Sequence, residues 1–181
     1  MQQKIPVTHK AVVLVNQQDA VVGCAEKIHA HQHALLHRAF SICIFNQRHE
    51  LLLQQRAHCK YHCAGLWTNT CCSHAQLDEP IAETAQQRLL VEMGISTPLS
   101  VVGTFCYRAE LANGLWEHEL DHVFVGWYEG DIAPHPDEVA ATRWISIPAL
   151  REAMKSTPEA YTPWLEQAVD VALTHPRFQP K

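Results

Sequence analysis

The chain predicts an α/β fold of the α+β kind, a mixed β-sheet sandwiched between helices. Three observations predict it. Short β-rich runs alternate with a few helical stretches, the pattern of a sheet covered on both faces. One helix, over residues 79–93, carries start and stop signals at its two ends. No linker, repeat or low-complexity segment interrupts the chain, so residues 1–181 read as a single domain, long enough to bury a core without disulfides.

Ala11–Val15 is a short apolar run and reads as a strand. Gln17-Gln18-Asp19 turns the chain, and Val21-Val22-Gly23 continues as the paired strand. Residues 40–45 and 51–55 are β-rich runs on either side of the polar Asn46-Gln47-Arg48-His49-Glu50, which predicts a hairpin. In the 79–93 helix Asp78 is the expected N-cap, Pro80 sits in the first turn, and Gly94 ends it. Ala82, Ala85, Leu89 and Met93 form the expected buried stripe. Residues 101–106, 119–128 and 142–147 read as strands, and 147–155 as a helix. Thr162-Pro163-Trp164 reads as an N-cap followed by an N1 proline, opening a last helix.

The bulk numbers exclude some functions. A net charge of −5 argues against a nucleic-acid partner, which needs a basic face, but not against a small anion held by a few local cations. No run of eighteen apolar residues occurs, so no membrane span is expected. The seven cysteines are odd in number, and Met1-Gln2-Gln3-Lys4-Ile5-Pro6 has no apolar leader character. Reduced thiols and a cytoplasmic location are therefore expected.

Two stretches carry the chemistry. In Thr68-Asn69-Thr70-Cys71-Cys72-Ser73-His74 a thiol and an imidazole stand two positions apart, and in Trp116-Glu117-His118-Glu119 two carboxylates do. On strands, a spacing of two aims both members of a pair the same way. If both pairs face one cavity, they give a metal cage with an acid/base group beside it. The thirteen histidines cluster, with His29, His31, His33 and His37 close together, either as a solvated stretch or as ligands. Three imidazoles and two carboxylates suit Zn, Mn or Fe and leave room for a further atom. Glu92 with Arg88 one turn earlier reads either as a surface ion pair or as a Mg²⁺ carboxylate beside a phosphate-binding arginine.

Leu35-Leu36-His37-Arg38-Ala39-Phe40-Ser41, Leu51-Leu52-Leu53-Gln54-Gln55-Arg56, Trp67-Thr68-Asn69-Thr70-Cys71-Cys72-Ser73-His74 and Trp116-Glu117-His118-Glu119, in this order, resemble the type I isopentenyl-diphosphate isomerases, a branch of the Nudix fold. Thr162-Pro163-Trp164 extends the match. The resemblance implies interconversion of isopentenyl and dimethylallyl diphosphate, with a small-molecule substrate and no obligate protein partner. It implies one Mn²⁺, Zn²⁺ or Mg²⁺ held by His31, His37, His74, Glu117 and Glu119, with His29 and His33 as alternatives to His31. It also implies Mg²⁺ linking the substrate diphosphate to Glu92 and the Cys72 carbonyl, and Lys27, Arg56, Lys60 and Arg88 as diphosphate-binding cations. A Nudix hydrolase would carry a Glu-Glu pair where Val91-Glu92-Met93-Gly94 keeps one carboxylate, which counts against hydrolysis.

Shifting the double bond of an unactivated alkene needs a positioned acid and a group that removes a proton elsewhere. Cys72 and Glu119 are expected in those roles, with Tyr107 assisting at Glu119. Trp164 reads either as a core residue or as the aromatic face that steadies a tertiary cation, and Trp67 is expected to wall the same pocket. Cys71 should point away from it. Cys24, Cys43 and Cys106 read as buried or incidental, and Cys59 and Cys63 as either incidental or a metal clip. The competing readings are a Nudix hydrolase of nucleotide diphosphates and a non-catalytic metal-binding module.

Overall fold

A computed structural model of the chain describes residues 11–111 and 114–179; the N-terminal stretch read above for leader character lies outside them. The elements run β1 (Ala11–Val15), β2 (Val21–Glu26), α1 (Lys27–Gln32), β3 (His37–Phe45), β4 (Glu50–Arg56), β5 (Trp67–Thr68), β6 (Cys71–His74), α2 (Ile81–Met93), β7 (Ser100–Glu110), β8 (Trp116–Trp127), β9 (Val139–Ser146), α3 (Ile147–Ser156) and α4 (Leu165–Ala172). No helix among the described residues is long and apolar enough to cross a membrane.

β3 organises the sheet. One edge runs parallel to β8, from His37 beside Glu119 to Phe45 beside Trp127. The other edge is shared in turn by β1 at His37, by β6 over residues 39–42, and by β4 at Phe45. Such a strand is covered on both faces and reads as nearly continuous apolar sequence. Phe40, Ile42 and Ile44 face α2, packing with Ala85, Leu89 and Met93. Cys43 and Phe45 face the opposite way, toward Leu150 of α3 and Leu165, Val169 and Ala172 of α4. The expected sheet between helices is thus present.

The predicted hairpin is real but brief, because β3 and β4 pair only at Phe45 and Leu51 and then part. Thr70 fills the gap. Its Oγ1 accepts from the Ile44 N–H at 2.9 Å and donates to the Leu52 carbonyl at 2.6 Å, replacing the lost ladder. Asn69 donates to the carbonyls of Ile42 and Cys71.

Several expectations are corrected. α2 begins at Ile81; Asp78 has φ 63° within the preceding turn and does not cap, and Pro80 is the N-cap residue without a side-chain bond. Ala82 is exposed, and Ile81, Thr84 and Ala85 open the inward face instead. Gly94 does end the helix, at φ 68°, a left-handed conformation that suits glycine. α4 begins later than Thr162, whose hydroxyl is committed to Thr68 Oγ1 at 2.8 Å; Trp164 is the N-cap residue. The histidine-rich stretch contains a short helix, α1, with the Glu26 carboxylate accepting from the His29 N–H at 2.9 Å.

Candidate active site

The register of β3, β6, β7 and β8 assembles the site. His37 lies beside Glu119, and Glu119 beside Tyr107, so the three share one face. The next row sets His74 beside Ala39 and Ala39 beside Asp121; the row after sets Cys72 beside Ser41. Alternation sends Cys71 to the α2 side, fully buried, as expected. Glu117 follows Glu119 at the strand spacing, and α1 brings in His31 from above. The ligand atoms of His31, His37, His74, Glu117 and Glu119 all lie within 4.8 Å of one another. Ala39, the small side chain between His37 and His74, leaves that space open.

α1 separates His31 from its two alternatives. His29 and His33 lie against each other, ring centroids 4.2 Å apart, on the exposed face, while His31 is fully buried within the ligand cluster. His31 Nδ1 donates to the Lys27 carbonyl at 2.6 Å, and His37 Nδ1 to the Leu35 carbonyl at 2.8 Å. A carbonyl can only accept, so each Nδ1 carries a proton and each Nε2 is turned inward. There His31 Nε2 meets Glu117 Oε2 at 3.1 Å, and His37 Nε2 meets Glu119 Oε1 at 3.4 Å. With the carboxylates ionised and the imidazoles neutral, these inward atoms would all be acceptors, an arrangement that a cation among them relieves. His37 Nε2, His74 Nε2 and Glu117 Oε2 are buried without a hydrogen-bond partner. The donor set and its orphaned atoms fit a divalent metal.

The protonation pattern is uneven. Burial alone would raise Glu119, but the His37 and His74 imidazoles at its carboxylate hold it well below the usual range. Burial, aided by the charge of Glu119, pushes Glu117 well above it. Burial also lowers His74 to about 3 and raises the Cys72 thiol to about 12, although Arg56 nearby opposes the second shift. Arg56 Nη1 stands 3.8 Å from Cys72 Sγ. The Tyr107 hydroxyl donates to Glu119 Oε2 at 2.7 Å.

A cavity of about 540 Å³ opens over this cluster. Cys72, Glu119, Tyr107 and Trp164 line it, and so do Lys27, Arg56, Lys60, Arg88 and Glu92. Trp164 is 3% exposed, its ring 6.1 Å from that of Tyr107. Of the predicted residues, His31 and His37 lie beneath the cavity in the ligand cluster, and Trp67 lies apart from both. It does not line the cavity; Arg143 lies over its ring at 4.3 Å and its carbonyl receives the Thr162 N–H, so it belongs to the α3–α4 side. Arg88 and Glu92 are not a surface pair, since both are buried and bonded to each other in the cavity wall. Among the described residues Cys59 and Cys63 are not gathered into a metal-ligating group; the Cys59 thiol donates to the Asp137 carbonyl. Cys43 is buried, whereas Cys24 and Cys106 are exposed.

Three residues at the site carry no mark that sequence reasoning used. Asp121, 1% exposed, accepts from Ser41 Oγ at 2.7 Å, and burial and the Glu119 charge raise its pKa well above the usual range. The spacing Glu117, Glu119, Asp121 is the signal that could have found it. Glu138 holds both Lys60 and Arg88, and His62 stands 3.4 Å from Glu117; both are loop-borne or strand-flanking, and no periodicity marks them.

The NUDIX domain profile matches residues 35–165. The chain is 48% identical over 159 residues to isopentenyl-diphosphate Delta-isomerase 1 of Aromatoleum aromaticum, covering 88% of this chain and 90% of that protein. It is 45% identical over 161 residues to the isopentenyl-diphosphate Delta-isomerase of Burkholderia multivorans, covering 89% and 92%. Among solved structures, a Deinococcus radiodurans protein superposes with a TM-score of 0.73 at 15% identity over 90% of this chain and 98% of that one, a likeness of fold alone.

Proposed function

The chain belongs to the isopentenyl-diphosphate Delta-isomerase family of Nudix-domain proteins, and on that premise we propose how its cavity interconverts isopentenyl and dimethylallyl diphosphate. The observation that carries the proposal is one cavity holding a half-buried thiol, a buried carboxylate and a cluster of cations. A proton adds to the terminal CH₂ of the substrate, leaving a tertiary cation at C3. A proton then leaves C2, and the double bond has moved without any redox step.

Such a pair of steps needs one group protonated and one bare, and the two must exchange states when the reaction reverses. Cys72 and Glu119 line the same cavity, and we assign these two roles to them. Tyr107, bonded to Glu119, steadies whichever form Glu119 takes. Trp164 offers a ring face to the C3 cation without a lone pair that would trap it, a contact worth about 2 kcal/mol when desolvated.

His31, His37, His74, Glu117 and Glu119 would hold the metal of the cage, for which Mn²⁺, Zn²⁺ and Mg²⁺ are the candidates. A bound dication there lowers the pKa of a carboxyl ligand and fixes its direction. Lys27, Arg56, Lys60 and Arg88 take the diphosphate by charge and by the guanidinium fork. Glu92 and the Cys72 carbonyl would take the Mg²⁺ that accompanies it, both residues lining the cavity.

Phosphorus and proton NMR of purified protein with isopentenyl diphosphate and Mg²⁺ tests the proposal. Accumulation of dimethylallyl diphosphate to an equilibrium mixture is expected. Phosphate release from nucleoside diphosphate compounds, with no isomer formed, would instead make it a hydrolase.

A further inference from the structure

His62 has no part in the chemistry proposed for the cavity. It lies in the loop between β4 and β5 and is only 8% exposed. Its Nε2 is 3.4 Å from Glu117 Oε1. His31 and His37 approach the other oxygen, Oε2, at 3.1 and 4.0 Å. The two oxygens of Glu117 are therefore divided, one among the ligand atoms and one toward His62. His62 itself is not among the five residues whose ligand atoms crowd within 4.8 Å.

The orientation of the imidazole is over-determined. Its ring packs edge-on to Tyr61 at 4.3 Å and to Trp164 at 6.4 Å. Its backbone carbonyl accepts from Arg56 Nη2 at 3.2 Å, tying the loop to a cation of the cavity wall. Its Nδ1 is buried without a partner. A neutral imidazole carries one N–H, and the buried carboxylate oxygen is the acceptor available to it, so the proton belongs on Nε2.

We propose that His62 is a positioning residue, whose Nε2–H holds the outer oxygen of Glu117 so that the carboxylate presents a single oxygen to the cage metal. The proposal rests on the metal-cage reading. Partners of this kind set the direction of a ligand, and their loss typically weakens metal affinity by about 10–100-fold.

The test is a titration of metal-free protein with Mn²⁺ alone, followed by electron paramagnetic resonance, for wild type, His62→Phe, His62→Gln and His37→Ala. Phe keeps the ring volume and loses the donor; Gln keeps a donor and loses the ring. His62→Phe is expected to weaken Mn²⁺ binding about 10-fold or more, with His62→Gln closer to wild type. A packing role would give the reverse order. Wild-type affinity in His62→Phe, with binding lost in His37→Ala, would overturn the role of His62. Wild-type affinity in His37→Ala as well would overturn the cage reading itself.

Discussion

Tyr107 is the residue that most directly modulates Glu119, because its hydroxyl donates to the oxygen that the two histidines leave aside. Its own pKa stands well above the ordinary value, raised first by burial and then by Glu119, so it stays protonated and remains a donor. Tyr107→Phe should lower kcat about 100-fold, toward the lower end of a proton-transfer contribution, with little change in KM; steady-state kinetics checks this. Glu138 gives a prediction about pH. Burial would raise its carboxyl, but Lys60 and Arg88 hold it below the ordinary value of 4.5. A depressed folded pKa means stabilisation that is present above about 4.5 and lost as pH falls through the lower folded value. Glu138→Gln should therefore be about 1–2 kcal/mol less stable than wild type at neutral pH. The two should converge in acid. Denaturant melts at about pH 7 and pH 3 measure the difference, and an equal gap at both would contradict the assignment.

At the scale of elements, the Thr68-Asn69-Thr70 run is architectural as much as functional. Thr70 stands in for the ladder between β3 and β4, and that parting lets β6 pair with β3 and deliver Cys72 and His74. Thr70→Val keeps the shape and strands the Ile44 N–H and the Leu52 carbonyl in a dry interior. A loss of about 2–4 kcal/mol is expected in chemical denaturation. The strand-borne part of the site is legible in the amino-acid order alone. Cys72 and His74, and Glu117 and Glu119, stand at the two-residue spacing of strands, and the same spacing extends to Asp121. What is not legible lies off that period. The choice of His31 over His29 and His33 depends on which face of a six-residue helix turns inward, and on a register that only packing sets. His62 and Glu138 reach the cavity from outside regular alternation. Trp67 misleads because it adjoins the Thr-Asn-Thr run in sequence yet faces the α3–α4 side.

Across the whole molecule, one strand serves two purposes. The face of β3 that carries Cys43 and Phe45 under α4 carries His37, Ala39 and Ser41 where that cover ends. Trp164, at the start of α4, stands at the boundary between packed core and cavity. Helices on both faces are predictable from the order of elements. The point where one helix stops covering the sheet is not, since it depends on Thr162 bonding to Thr68 and delaying the helix start. The cations of this acidic chain are local: Lys27, Arg56, Lys60 and Arg88 all line the one cavity, with Glu92 and Glu138 among them. The central claim is that Cys72 and Glu119 exchange protons with one alkene inside this cavity. It is tested most directly by incubating wild type, Cys72→Ala and Glu119→Gln with isopentenyl diphosphate and Mg²⁺ in deuterated water, and reading deuterium in substrate and product by NMR. The account predicts labelled dimethylallyl diphosphate from wild type and near-complete loss of turnover in both variants with the fold intact. Labelled product at near wild-type rate from both variants would contradict it.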